Sequence, residues 1–254
     1  FKQKTAYEIG VRLVGSEMCI RDRVMDRLRQ DRRYSDMFSR AFPDDPDPLQ
    51  WSNIVKALAS FTRTLISSNS PYDRYTYEGD ITALSPSALR GQSLFFSERL
   101  SCDHCHGGFN FSGATRHGST LVETTFENNG LYNIDDQGGY PLDNRGLFDI
   151  TSNPSDMGRF RPPTLRNIML TAPYMHDGSI ATIEDVIQMY EAGGRNITSG
   201  PYAGDGRLNP YKNSLVSGFT LTLQERIDLL AFLDSLTDIT FISDPRYSDP
   251  FPAP

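Results

Sequence analysis

Apolar positions along the chain recur mostly at helical spacing. Between Val24 and about Ala41, Leu28, Tyr34, Met37 and Phe38 outline a loosely amphipathic, heavily charged helix. The proline- and aspartate-rich run from Phe42 to Pro48 ends it. Ile54, Leu58, Phe61 and Leu65 then recur every three or four residues and predict a helix over 50–66. A linker rich in Ser, Asn, Tyr and Asp follows over about 67–84. Ser85-Pro86 supplies an N-cap and a first-turn proline for a helix toward Phe95 and Phe96. Near the carboxy end, Thr182-x-x-Asp185 and Thr222-x-x-Glu225 read as capping boxes. The first of these helices stops at Gly193-Gly194; the second carries Ile227, Leu230 and Leu233 on one face. The pattern is that of a mainly α chain without internal repeats.

Helical periodicity fails between Gly107 and Pro163. That stretch is Gly, Asn, Asp and Ser punctuation with one β-like run, residues 120–126. A segment this long with so little regular structure calls for an organiser other than its own core, and a large bound cofactor is the natural candidate.

The chemistry enters at Cys102-Asp103-His104-Cys105-His106, a Cys-x-x-Cys-His motif of the c-type haem kind. On one helical turn, residues at i, i+3 and i+4 share a face. The two thiols then reach the two haem vinyl groups while the His106 imidazole sits beneath the iron. A redox Cys-x-x-Cys needs a βαβ context, which is absent, and a zinc site needs a second ligand pair. His104 lies off the ligating face and reads as a surface histidine. The iron's sixth ligand comes from His117, Met157, Met169, Met175, His176, Met189 or Tyr190, and its identity sets the potential. Ile183, Val186, Ile187 and Tyr190 form one apolar stripe, which turns Tyr190 inward and Met189 about 100° away.

Composition narrows the class further. The 254 residues carry a net charge of −7, which disfavours nucleic acid as a partner. No run approaches the roughly 18 apolar residues of a membrane span. Residues 17–22 translate a common transposon-type sequencing adapter, and Lys2 to Glu8 resembles the primer preceding it. Residues 1–23 are therefore expected to be translated adapter, not native protein, with the native chain continuing upstream of Val24. Without them, Cys102 and Cys105 are the only cysteines, which excludes a disulfide framework.

Several motifs together resemble a known family. Leu94-Phe95-Phe96, Cys102–His106 followed by Gly107-Gly108-Phe109-Asn110-Phe111, the run from Arg159 to Asn167 and the run from Thr171 to Ser179 resemble the carboxy-terminal haem domain of bacterial di-haem cytochrome c peroxidases. Glu191–Arg195 and the Asp228–Asp238 helix are more similar to its MauG/MbnH-like branch. The resemblance covers about residues 24–250. It implies that Tyr190 is the sixth ligand: the family's methionine lies fourteen residues after the histidine matching His176, and MauG-like members carry tyrosine there. It implies a calcium ion bound by the Thr171 and Pro173 carbonyls. Arg159, Arg161 and Arg166 are suited to haem propionates, with salt bridges as the alternative for each.

The family's second Cys-x-x-Cys-His, with its peroxide-reacting haem, and the bridging tryptophan have no counterpart in this chain; Trp51 reads as packing. The expected organisation is adapter over 1–23, remnant helices and linker of an amino-terminal haem domain over 24–84, a cytochrome c-type haem domain with long irregular loops over 85–240, and a tail over 241–254. One haem c is expected here and two in the intact protein, and no catalytic residue in this chain. The resemblance implies a periplasmic oxidoreductase that uses hydrogen peroxide to oxidise a partner protein. The alternatives are a conventional peroxidase fed by a donor cytochrome, with Met189 or Met175 on the iron, and a mono-haem electron-transfer cytochrome.

Overall fold

The structure is a computed structural model that describes residues 20–113 and 125–251. It divides into two units, Phe1–Ile66 and Ser67–Pro254.

In the first unit, residues 20–30 form α1, Arg32–Ala41 form α2 and Trp51–Thr64 form α3. The single helix expected over 24–41 is broken at Asp31. Its backbone leaves the helical region (φ −101°, ψ 108°) and its carboxylate accepts the Arg33 N–H, capping α2. Met25, Leu49 and Ile54 are the buried centre, with Leu28 and Phe38 against them. Asn53 is fully buried and donates to the Asp45 carboxylate (2.9 Å) and the Pro48 carbonyl (3.0 Å), which fastens the proline-rich turn to α3. Of the apolar stripe on α3, Ile54 is buried while Leu58, Phe61 and Leu65 are exposed. Trp51 is exposed as well, against its reading as packing.

The second unit contains α4 (Pro71–Tyr77), α5 (Pro86–Phe95), a 3-10 turn at Cys102–His104, α6 (Phe148–Thr151) and α7 (Ile183–Glu191). Strands β1 (Asn196–Ile197) and β2 (Gly204–Asp205) pair antiparallel, and α8 (Leu223–Asp234) and α9 (Ile239–Ile242) close it. The stretch 67–84 is part of this unit and not a linker. Ser70 and Asp73 form a capping box for α4. The Asp238 carboxylate accepts from the Ser68 and Asn69 N–H groups at 3.0 and 2.9 Å.

Aromatic rings fill the centre. Phe111 meets Tyr72 at 5.0 Å and Phe232 at 6.1 Å, and Phe95 meets Phe232 at 5.1 Å. Burying a side chain such as Phe232, which has no exposed surface, contributes about 1.5–3 kcal/mol. Helices α5 and α8 cross at Gly91, where a Cβ would lie 1.9 Å from the Asp228 carbonyl oxygen. That crossing sets which face of α8 is covered: Asp228, Leu229, Phe232 and Leu233 are buried and Ile227 is 47% exposed. The face expected from apolar spacing is therefore rotated. The polar residue that hides the true face, Asp228, is satisfied by Arg90 at 2.7 Å and Ser87 at 2.5 Å.

The irregular segment has an organiser that the sequence reading missed. Asn128 and Asn133 are each 1% exposed and Asn209 5%. Asn128 accepts from the Gly130 N–H and the Tyr140 hydroxyl and donates to the Met157 carbonyl. Asn133 accepts from the Gly138 N–H and donates to the Asp205 carbonyl. Asn209 donates to the Tyr132 carbonyl. These amides replace the missing backbone ladder, as short amide side chains do in turns. The β-like run at 120–126 falls almost wholly outside the described residues.

Candidate haem site

Local hydrogen bonding makes one tight turn of the Cys-x-x-Cys-His motif. Ser101 enters it in the left-handed region (φ 52°). The Cys105 and His106 N–H groups both donate to the Cys102 carbonyl, at 3.3 and 2.9 Å. The Gly113 N–H returns to the Cys105 carbonyl at 2.7 Å, closing the loop after the motif.

The His106 ring is held from behind. Its Nδ1 lies 3.3 Å from the Phe111 carbonyl oxygen and 3.2 Å from that of Pro163. With Nδ1–H donating to these carbonyls, Nε2 is left for a metal, an arrangement typical of ligating histidines. Burial lowers the His106 pKa against the opposing pull of the two carbonyls, so the ring is neutral and its Nε2 lone pair available. Burial, with Asp103 adding to it, pushes the Cys102 thiol up to about 12. The Cys105 thiol is pushed up to about 11 by burial and then by Glu127. Both stay thiols, the state from which addition across a vinyl group proceeds without redox change.

Tyr190 belongs to the same neighbourhood. Helix α7 starts at Thr182, whose hydroxyl caps the Asp185 N–H, and ends at Gly193 (φ 76°), whose N–H bonds the Tyr190 carbonyl. Burial raises the Tyr190 pKa and a hydrogen bond from the Asn129 side chain opposes that, while the ring packs partly buried against the core that also holds Cys102. Asn129 also donates to the Met175 sulfur at 3.4 Å. Met189, expected to be turned away from the interior, is instead buried in the core at 5% exposure, while Tyr190 packs partly buried against it. Met157 and Met169 pack partly buried against that core. His176 is exposed and stacks on Phe160 at 3.7 Å. His104 pairs loosely with Asp103 at 3.5 Å. His117 lies outside the described residues.

The arginines separate. Arg166 forms a two-pronged buried ion pair with Asp73, at 2.7 and 2.8 Å, and donates twice more to the Phe109 carbonyl. Its guanidinium is committed to the structural salt bridge that was the alternative to a propionate. Arg159 stands 3.7 Å from Asp156, and Arg161 lies over the Phe126 ring at 6.0 Å. Thr171 and Pro173 are exposed on the turn after the 3-10 segment Ile168–Leu170. Among the described residues, no group of three or more His, Cys, Asp or Glu could hold a metal ion. One neutral imidazole, two thiols and a partly buried phenol suit a haem instead.

Comparison with known proteins agrees. A family model described as di-haem cytochrome c peroxidase matches residues 13–82. The cytochrome-c peroxidase IdrP1 of Pseudomonas sp. (strain SCT) is 32% identical over 90% of this chain and 61% of its own length. The methylamine utilization protein MauG of Methylorubrum extorquens is 31% identical over 85% and 52%, respectively. The crystal structure of a MauG-like protein associated with microbial copper homeostasis superposes with a TM-score of 0.84 at 48% identity, over 91% of this chain and 65% of that one. The chain thus spans little more than half of the curated relatives it matches. No described helix is long and apolar enough to cross a membrane.

Proposed function

The chain belongs to the di-haem cytochrome c peroxidase family, an oxidoreductase family, and from that premise we propose that it is the carboxy-terminal haem portion of a periplasmic enzyme that uses hydrogen peroxide to oxidise a partner protein. The Cys102 and Cys105 thiols would hold one haem c through thioethers, and His106 Nε2 and the Tyr190 phenol would ligate its iron. The intact protein carries a second haem, and residues 24–66 are the last helices of the domain that holds it. A calcium ion on the Thr171 and Pro173 carbonyls completes the proposed cofactors, with Arg159 and Arg161 as proposed propionate contacts.

The observation that carries this reading is that Cys102 and a partly buried Tyr190 pack against one core, whose Phe111 also holds the His106 ring through its carbonyl. When bound, the haem supplies a one-electron couple, and a tyrosinate ligand favours the oxidised states of its iron. The protein's part is to keep the imidazole neutral and aimed, through Phe111 and Pro163, and to give the phenol oxygen a hydrogen bond from Asn129 that favours its deprotonated form. Oxidising states on this haem suit withdrawal of electrons from a protein.

A second reading, a conventional peroxidase fed by a donor cytochrome, draws on Met175, whose sulfur accepts from the same Asn129. The test is to mature residues 24–254 with c-type haem and record ferric optical and EPR spectra beside Tyr190→Phe. A histidine–tyrosinate signature that vanishes in the variant is the expected result. A methionine–sulfur charge-transfer band untouched by the substitution would overturn Tyr190 and favour the second reading.

A further inference from the structure

Four aromatic side chains of the second unit, Phe160, Tyr140, Tyr132 and Tyr202, follow one another to the surface. Phe160 stacks on His176, and the Tyr140 ring is 6.4 Å from each. Tyr140 meets Tyr132 edge-on at 5.4 Å, and Tyr132 meets Tyr202 edge-on at 5.9 Å. Tyr140 and Tyr132 are 5% and 4% exposed, whereas Tyr202 is 47% exposed. At the inner end the Tyr140 hydroxyl donates to Asn128, the chain neighbour of Asn129, whose side chain donates to the Met175 sulfur and bears on Tyr190. The outer end opens on a cavity of about 430 Å³ lined by Tyr132, Tyr202, Asp177, Ser179, Arg195 and Pro141.

The hydroxyl partners differ in a way that packing alone does not require. Tyr132 donates to the Asp177 carboxylate at 2.7 Å, and that carboxylate is held in turn by the Ser179 N–H at 3.0 Å. Tyr140 donates to a neutral amide oxygen at 3.0 Å. A phenol that loses an electron becomes a strong acid, so a tyrosine with a carboxylate on its hydroxyl can stay oxidised as a neutral radical. One bonded only to an amide has nowhere to send the proton.

We propose that Tyr140, Tyr132 and Tyr202 form an electron path between this haem site and the surface cavity, with Tyr132 as the redox station and Asp177 as its proton acceptor. The proposal rests on the function inferred above for its oxidant, hydrogen peroxide, whose reduction to two waters takes up two electrons and two protons. For each electron, the Tyr132 O–H bond breaks; the electron passes inward across the Tyr140 ring and the proton moves to an Asp177 oxygen. An electron from a donor at the cavity, arriving through Tyr202, then reduces Tyr132, and Asp177 returns the proton. The donor is the species oxidised, and the tyrosines end unchanged. Burial, and then the Asp177 bond, raise the Tyr132 pKa, so the resting phenol holds its proton.

The test avoids peroxide, so that its failure is separate from failure of the peroxide reading. A photo-oxidisable ruthenium complex is attached to Ser199→Cys, at the cavity, in a Cys19→Ser background, and the haem c of the chain is reduced to the ferrous state. A flash with an oxidative quencher makes Ru(III) at the cavity, and the appearance of ferric haem is timed optically. Tyr132→Phe and Tyr202→Phe keep the rings and are expected to slow that appearance roughly tenfold or more, with the ferrous spectrum unchanged. Asp177→Asn is expected to slow it too, and Tyr247→Phe, off the path, to leave it alone. Equal rates in wild type, Tyr132→Phe and Tyr202→Phe, with haem in place, would overturn the path while leaving the site assignment standing. A chain that takes up no covalent haem would overturn both.

Discussion

Removing the Asp73 carboxylate is the sharpest probe of how the loop after the Cys-x-x-Cys-His motif is held. The side chains of Asp73 and Arg166 are 1% and 4% exposed and meet through two bonds of 2.7 and 2.8 Å. Asp73→Ala strands the guanidinium in the core, and breaking a buried pair from one side costs about 3–5 kcal/mol. The Phe109 carbonyl still accepts two of its N–H groups, at 3.0 and 2.7 Å, which places the cost at the low end, about 3 kcal/mol. The Ser70 N–H and hydroxyl also lose their acceptor, and a lost cap adds about 1 kcal/mol. The expected loss is therefore about 4 kcal/mol. With a urea slope near 2 kcal/mol/M, the unfolding midpoint falls by about 2 M. The assay is urea unfolding of the haem-loaded chain, followed by far-UV circular dichroism and by the haem band. Asp73→Leu with Arg166→Met is expected to recover most of the loss, because an apolar pair leaves no buried charge. A loss below about 1 kcal/mol for Asp73→Ala, the range of exposed pairs, would refute the assignment of a buried pair that anchors the Phe109 loop.

Four further outcomes follow from the geometry. Gly91→Ala places a Cβ 1.9 Å from the Asp228 carbonyl oxygen and 2.8 Å from the Phe232 Cβ; overpacking of about 1–3 kcal/mol or more is expected as a lower thermal midpoint. Asn133→Ala removes bonds to the Gly138 N–H and Asp205 carbonyl in a buried setting. At about 1–3 kcal/mol per stranded group, it should loosen the 128–140 segment in hydrogen exchange. Asp73 would be raised by burial, but the Arg166 and Ser70 bonds outweigh this and hold it below the ordinary range; Asp228 is held low chiefly by Arg90 and Ser87. The stability these depressed carboxylates contribute is present above about pH 4 and is lost as pH falls through their folded values, which an acid titration by circular dichroism would trace. Finally, the haem-loaded chain alone is expected to show no peroxidase turnover, and the same chain with the upstream part of its relatives restored to show it; equal turnover in both would refute a role for a second haem.

Much of this molecule was legible in one dimension because it is governed by local rules. The Cys-x-x-Cys-His motif is one tight turn, in which the Cys105 and His106 N–H groups bond the Cys102 carbonyl, so its local backbone follows from neighbours in the chain. Ser85, Thr182 and Thr222 were readable as caps because a cap satisfies N–H groups two or three residues away. The Gly193-Gly194 stop placed Tyr190 at the end of α7 for the same reason. What needed the tertiary structure are the contacts between residues far apart in the chain. The buried face of α8 followed from how closely Gly91 lets α5 approach, and Asp228 hides inside because Arg90 and Ser87 come to it from another helix. The 67–84 stretch looked like a linker because its composition is polar, yet Asp73 finds Arg166 ninety-three residues away. The same holds for the carbonyls behind His106 and the asparagines that brace the irregular loop. Periodicity reports which side of an element is apolar; it carries no information on which distant donor will satisfy a buried polar group, and only the closed fold decides that.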